Sequence, residues 1–204
     1  RILPIPLGVD QATFAPSAAI SRAPQRIITT ASADTPLKGL HILFEAFHLL
    51  LQELPEAELV VIGKLRKGRA KKVWETRGLK HRVTFKHDLS REDLADAFRA
   101  ATVAVTPSLY EGFGLPAAEA MSCGTPVIVT TGGALPEVAG QAGIIVPKGD
   151  AAALAREMIN LLQDPARQKA VGEACLHRAR AEFNWERIAP KYLALFERAM
   201  AAPC

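Results

Sequence analysis

Three charged side chains and two glycines in this chain are of types that together suit a ligand carrying both phosphate and hydroxyl groups. Glu111 and Glu119 stand eight positions apart around Gly112 and Gly114, inside Thr106-Pro-Ser-Leu-Tyr-Glu-Gly-Phe-Gly-Leu-Pro-Ala-Ala-Glu-Ala-Met-Ser-Cys-Gly-Thr-Pro126. The glycines let a backbone turn sharply and approach a ligand closely. Pro116 suits a first helical turn, where its missing N–H costs nothing. Gly124 suits the left-handed cap that ends a helix. The N–H groups near Leu115 to Ala118 then face the loop as an anion site. Two carboxylates do not themselves hold an anion, but they accept strongly from hydroxyl donors. A nucleotide sugar matches that demand, with a diphosphate between a ribose and a hexose. Lys38, directly before Gly39, is a cation placed to reach the diphosphate. The same residues have plainer readings: two acids favoured at a helix start by its dipole, and a solvated loop lysine.

The surrounding elements must bring these groups together. The spacing predicts strands over 25–31, 58–63, 82–87, 102–106, 126–130 and 143–146. Between and after them it predicts helices over 40–54, 67–78, 91–100, the motif helix after Gly114, and 150–162, 165–182 and 185–201. Leu40, Leu43, Phe44, Phe47, Leu50, Leu51 and Leu54 carry the helical period of the first helix. Ser90 followed by Asp93 is a cap signal for the helix at 91. Alternating strands and helices imply an α/β fold, a Rossmann-like parallel sheet with helices on both faces. Such sheets bind ligands beyond the carboxyl ends of their strands. That edge carries the loop with Lys38, the region near His87, and the Glu111 turn.

The totals narrow the class. The chain has 204 residues, 49% hydrophobic and 23% charged, with a formal net charge of +4, which fits a globular domain with a substantial core. No apolar run is long enough to span a membrane. Arg1-Ile-Leu-Pro-Ile-Pro lacks a signal-peptide pattern and reads as the inside of a longer protein. Three scattered cysteines (Cys123, Cys175, Cys204) give neither a disulfide framework nor metal-ligand spacing and point to a reducing, cytoplasmic setting. The five histidines form no ligand cluster. Lys64-Leu-Arg-Lys-Gly-Arg-Ala-Lys-Lys72 packs six cations into nine residues. It reads as a solvated helix face or as a patch for an anionic lipid surface or acidic acceptor. Without interleaved aromatics or a recognisable motif, it does not read as a nucleic-acid site.

Glu-Gly-Phe-Gly-Leu-Pro-Ala-Ala-Glu-Ala-Met-Ser-Cys-Gly-Thr-Pro resembles the E-x7-E signature of retaining glycosyltransferase family 4, and the resemblance runs from Pro6-Leu-Gly-Val-Asp10 to Phe183-Asn-Trp185. It implies the C-terminal, donor-binding half of a two-domain GT-B glycosyltransferase. Residues 1–24 would be an incoming strand and inter-domain linker, 25–183 the nucleotide-sugar-binding domain, and 184–204 a C-terminal helix directed toward the missing half. Leu7 stands where the family usually has Asn. The resemblance implies that Lys38 and Glu111 take part in catalysis. Lys38 would contact the donor diphosphate, Glu111 the sugar hydroxyls and Glu119 the ribose. Gly112, Phe113, Gly114 and Leu115 would line the phosphate and sugar. The base would lie near Phe85 to His87, where His87 replaces the usual glycine. The arginine that usually precedes the lysine is replaced at about Ser32, with Lys64 or Arg66 as possible substitutes.

The implied reaction moves a sugar from a UDP-, GDP- or ADP-sugar to an acceptor sugar, lipid or small molecule, with retention and with no metal or other cofactor. The acceptor would be held by the missing half, and the enzyme would be cytoplasmic, with peripheral contact at the inner membrane face. Four other readings compete. A decayed binding or regulatory module draws on Ser32. A sugar-nucleotide epimerase could share the architecture. A retaining glycosidase would need Glu111 and Glu119 about 5 Å apart. A dinucleotide-dependent oxidoreductase fails for want of G-x-G-x-x-G after the first strand.

Overall fold

Along each inner strand, successive side chains enter two different cores, because strand side chains alternate between faces. The computed structural model describes residues 4–31 and 35–201. Its strands are β1 (Arg26–Thr30), β2 (Glu58–Ile62), β3 (Val83–Lys86), β4 (Val103–Thr106), β5 (Val127–Thr130) and β6 (Ile144–Val146). All pair in parallel, in the order β3-β2-β1-β4-β5-β6. Ile27, Leu59, Val61, Val103, Val105 and Ile128 enter one core. Ile28, Val60, Ala104, Val127 and Val129 enter the other. A sheet covered on both faces explains why these strands read as continuous apolar runs.

The helices are α1 (Leu40–Leu50), α2 (Arg69–Thr76), α3 (Arg91–Arg99), α4 (Leu115–Ser122), α5 (Leu135–Ala139), α6 (Ala151–Leu162), α7 (Pro165–Glu182) and α8 (Trp185–Ala201). Residues of α1, α2 and α6 close the first core. Those of α3, α4, α5 and α7 close the second. The Ser90 cap forms as expected: its hydroxyl oxygen accepts from the Asp93 N–H at 3.0 Å, and the hydroxyl donates to the Asp93 carboxylate at 2.7 Å. Asp150 and Asp164 cap α6 and α7 in the same way, each accepting from an N–H in the first turn.

The α/β expectation is met, with each strand trimmed by a residue at one or both ends. Three details differ. The first helix stops at Leu50, not Leu54, and Leu51 to Glu53 form a turn that still buries Leu54. The second runs over Arg69–Thr76 rather than 67–78, between Gly68 and a turn at Arg77 and Gly78. The short α5 carries too few residues to show a period.

The described part of the segment read as an incoming strand and linker packs on the domain. Val9 and Phe14 are buried in the second core. Val9 bridges Asn184 in parallel, and its N–H donates to the Phe183 carbonyl at 2.8 Å. The Arg99 guanidinium donates to the carbonyls of Ala15 and Thr13, and Arg22 donates to that of Gly124. The incoming segment and the start of α8 therefore lie side by side. On α8, Ile188 is buried, while Leu193, Phe196 and Met200 are exposed.

Candidate functional site

The strand order reverses between β1 and β4: connections from β1 run to one side of the sheet and those from β4 to the other. Such a switch point opens a crevice at the carboxyl edge. Two loops meet there. After β1, Pro36–Lys38 form a 3-10 turn that Gly39 ends in a left-handed conformation, φ 67°. A Cβ on Gly39 would lie 2.0 Å from the Pro107 carbonyl oxygen, so only glycine lets this loop settle on the chain leaving β4. The Leu109 N–H then donates to the Leu37 carbonyl at 2.7 Å.

This contact brings Lys38 and Glu111 together across 73 residues, with the Lys38 ammonium 2.7 Å from Glu111 Oε2. The Ser108 hydroxyl donates to the same oxygen at 3.2 Å. An ammonium has three protons and can serve a carboxylate and a phosphate at once.

Behind Glu111 lies Thr130-Thr-Gly-Gly-Ala134, a segment that sequence reasoning missed. The Thr130 hydroxyl donates to the Ser108 carbonyl, and the Ala134 N–H donates to the Glu111 carbonyl at 2.9 Å. Cβ atoms on Gly132 and Gly133 would strike the Ser108 and Glu111 carbonyl oxygens at 2.3 and 2.2 Å. The signal available was Gly132-Gly133 directly after a strand, a mark of close backbone approach. Ser108 itself carried none, since a lone serine before a glycine turn reads as loop.

The motif helix forms as expected, with Gly114 at φ 97° before it and Pro116 in its first turn. Ala117 and Ala118 donate their N–H groups to the Gly114 carbonyl at 2.9 and 3.2 Å. Pro116 has no N–H, so the expected row of donors narrows to Gly114 and Leu115. Glu119, one turn further on, is half-buried. Burial pushes its carboxyl up to about 7, against the opposing charge of Arg91. Arg91 itself lies 3.4 Å from Asp10 and over the Phe14 ring. Gly112 is exposed, with nothing within 4 Å of where a Cβ would stand. Phe113 packs edge-on against Phe183 at 5.7 Å, as a partly buried member of the second core. A pocket of about 350 Å³ opens beside Gly112 and Phe113, bounded by Ala134, Glu137 and Arg178.

The region assigned to a base is divided. Phe85 is turned into the first core, edge-on to Phe44 and Trp74. His87 instead lines an open pocket of about 290 Å³ with Ile62, Gly63, Lys64, Arg66 and Asp88. Hydrogen bonds from His87 and then Lys64 hold the Asp88 carboxyl below its ordinary value. Ser32 lies outside the described residues. Within the basic run, Lys64 pairs with Asp88 and Lys71 with Glu75. Among the described residues, no group of three or more His, Cys, Asp or Glu side chains could hold a metal, and no helix is long and apolar enough to cross a membrane.

Residues 15–177 match the family model "Glycosyl transferases group 1". The chain is 39% identical over 201 residues to an MMP alpha-(1->4)-mannosyltransferase of Mycolicibacterium hassiacum, covering 97% of this chain and 48% of that protein. It is 36% identical over 177 residues to a D-inositol 3-phosphate glycosyltransferase of Streptomyces bingchenggensis, covering 81% of this chain and 39% of that one. Among solved structures, sucrose-phosphate synthase from Thermosynechococcus elongatus superposes with a TM-score of 0.86 at 34% identity, over 98% of this chain and 53% of its own. The chain thus spans about half the length, or less, of these proteins.

Proposed function

The chain belongs to the glycosyl transferases group 1, and from that premise we propose that it is the nucleotide-sugar-binding, C-terminal half of a retaining GT-B glycosyltransferase. The observation that carries this reading is the Lys38–Glu111 pair at the switch point, 2.7 Å apart. It sets a cation for phosphate beside a carboxylate for hydroxyls. In the proposed reaction the bond from the anomeric carbon to a diphosphate oxygen breaks. The acceptor oxygen bonds that carbon on the same face, and the acceptor proton passes to the departing diphosphate. Lys38 and the N–H groups of Gly114 and Leu115 stabilise the charge that builds on the diphosphate. They let the reaction run without a metal. Glu111 holds the sugar hydroxyls and Glu119 the ribose. The pocket at His87 and Asp88 takes the base.

The acceptor belongs to a second half of the protein. The exposed Leu193, Phe196 and Met200 on α8 form a stripe that suits packing against that half. Cytoplasmic placement, with peripheral contact between the exposed Lys67, Arg69 and Lys72 and an anionic membrane face, completes the proposal.

The test is calorimetric titration of the full-length protein with UDP, GDP and ADP and with their sugars, with and without magnesium. One nucleotide binds without magnesium, and Lys38→Ala and Glu119→Ala each weaken it about tenfold or more. Absence of binding to all three would overturn the reading in favour of a decayed module.

A further inference from the structure

We infer that Ser108 is the positioning residue for Glu111, holding that carboxylate in place once Lys38 is shared with the donor diphosphate. The inference rests on the donor-site reading above and concerns the sugar end of that site. Both internal bonds to Glu111 end on Oε2: the Lys38 ammonium at 2.7 Å and the Ser108 hydroxyl at 3.2 Å. Oε1 is the oxygen left to accept from a sugar hydroxyl.

The two donors differ in kind. Lys38 has a four-carbon stem, is 30% exposed at the side chain, and is the group a diphosphate attracts. Ser108 has a single rotatable carbon–carbon bond, is 1% exposed, and sits on backbone tied at several points. The Thr130 hydroxyl donates to its carbonyl, the next residue's N–H donates to the Leu37 carbonyl, and the Glu111 carbonyl accepts from Ala134. Gly132 presses against the Ser108 carbonyl from behind. A carboxylate held only by a mobile ammonium would lose its orientation when the ammonium is shared with phosphate. One held also by a fixed hydroxyl keeps it. Alignment of this sort is what a supporting residue contributes to a site.

The consequence is a split between ligands. Nucleoside diphosphate alone meets Lys38, Glu119 and the helix N-terminus and does not need Ser108. The sugar of the nucleotide sugar does. Calorimetry on the full-length protein would use UDP, GDP and ADP, then UDP-glucose, GDP-mannose and ADP-glucose, with wild type, Ser108→Ala and Ser108→Cys. For the nucleotide that binds, Ser108→Ala leaves the diphosphate affinity within about twofold and weakens the sugar conjugate roughly tenfold, the scale of a hydrogen bond to a charged group. Ser108→Cys, similar in shape but a weaker donor, falls between. It also carries the test should the alanine variant fold poorly. Equal weakening of both ligands would show a merely structural role and overturn the inference, as would an unchanged sugar-conjugate affinity. Failure of the wild type to bind any nucleotide would instead remove the donor-site reading, and this inference with it.

Discussion

Replacing Glu119 by Gln should make the protein more stable at pH 8 than the wild type, and the gain should vanish toward pH 5. Desolvation lifts the folded carboxyl from 4.5 to about 7. A group whose folded pKa is raised favours the native state fully while both states are protonated, below about pH 4.5. It loses that contribution as pH rises through about 7. Fully expressed, the shift corresponds to about 3 kcal/mol. The carboxyl keeps some contact with solvent, which reduces the expected penalty to about 1–2 kcal/mol. The amide introduced by Glu119→Gln keeps the shape and has nothing to titrate. Urea unfolding at several pH values, followed by the fluorescence of Trp74 and Trp185, gives the difference between the two proteins. It should open by about 1–2 kcal/mol between pH 5 and pH 8. Parallel stability curves would refute the assignment of a desolvated carboxyl here. Ligand binding has the opposite sign. In the proposed site a ribose hydroxyl would donate to the ionised carboxylate, so nucleotide affinity should rise from pH 6 to pH 8 in the wild type and lose that rise in Glu119→Gln.

Two glycine substitutions separate fold from site. Gly133→Ala places a Cβ 2.2 Å from the Glu111 carbonyl oxygen at φ 63°, so it should cost roughly 2–4 kcal/mol in urea or thermal unfolding and weaken nucleotide-sugar binding as well. Gly112→Ala meets nothing within 4 Å and should change stability by only about 0.5 kcal/mol. If Gly112 faces the donor, that substitution still weakens binding; unchanged affinity would remove Gly112 from the ligand's path.

The sheet was legible because its strands are buried on both faces. Glu58–Ile62 and Val127–Thr130 are too apolar and too β-branched to be anything else between turn residues. Most helices showed themselves through caps and period. Leu135–Ala139 did not, because five residues complete little more than one turn and Pro136 masks the rest. Phe113 and Phe85 could not be placed from sequence. An aromatic beside a glycine turn, or at a strand end, has the same local pattern whether it meets a ligand or a neighbouring ring. Only the positions of Phe183, Phe44 and Trp74 decide it. The packed state of residues 9–14 was equally hidden, since a short stretch set between prolines gives no sign of the arginine on α3 that holds its end.

The pairing of Lys38 with Glu111 belongs to a different level. Each residue could be assigned to a loop at the carboxyl edge, but their contact depends on β1 lying next to β4, with β2 and β3 stacked outward on the other side. Local periodicity does not encode that order. It follows from the two cores: α1 and α2 cover one face and α3 and α4 the other, so the chain must cross between the faces after β3. The crossing returns β4 to the open edge of β1, and the loops that follow them part to opposite faces. Gly39 against Pro107, and Gly132 and Gly133 against the loop from Ser108 to Glu111, then draw the backbones close enough for a lysine, a serine and a glutamate to share one oxygen. The charged pair is therefore a product of glycines with no chemistry of their own, and its geometry should be more sensitive to Gly39 or Gly133 than to any polar neighbour except Ser108.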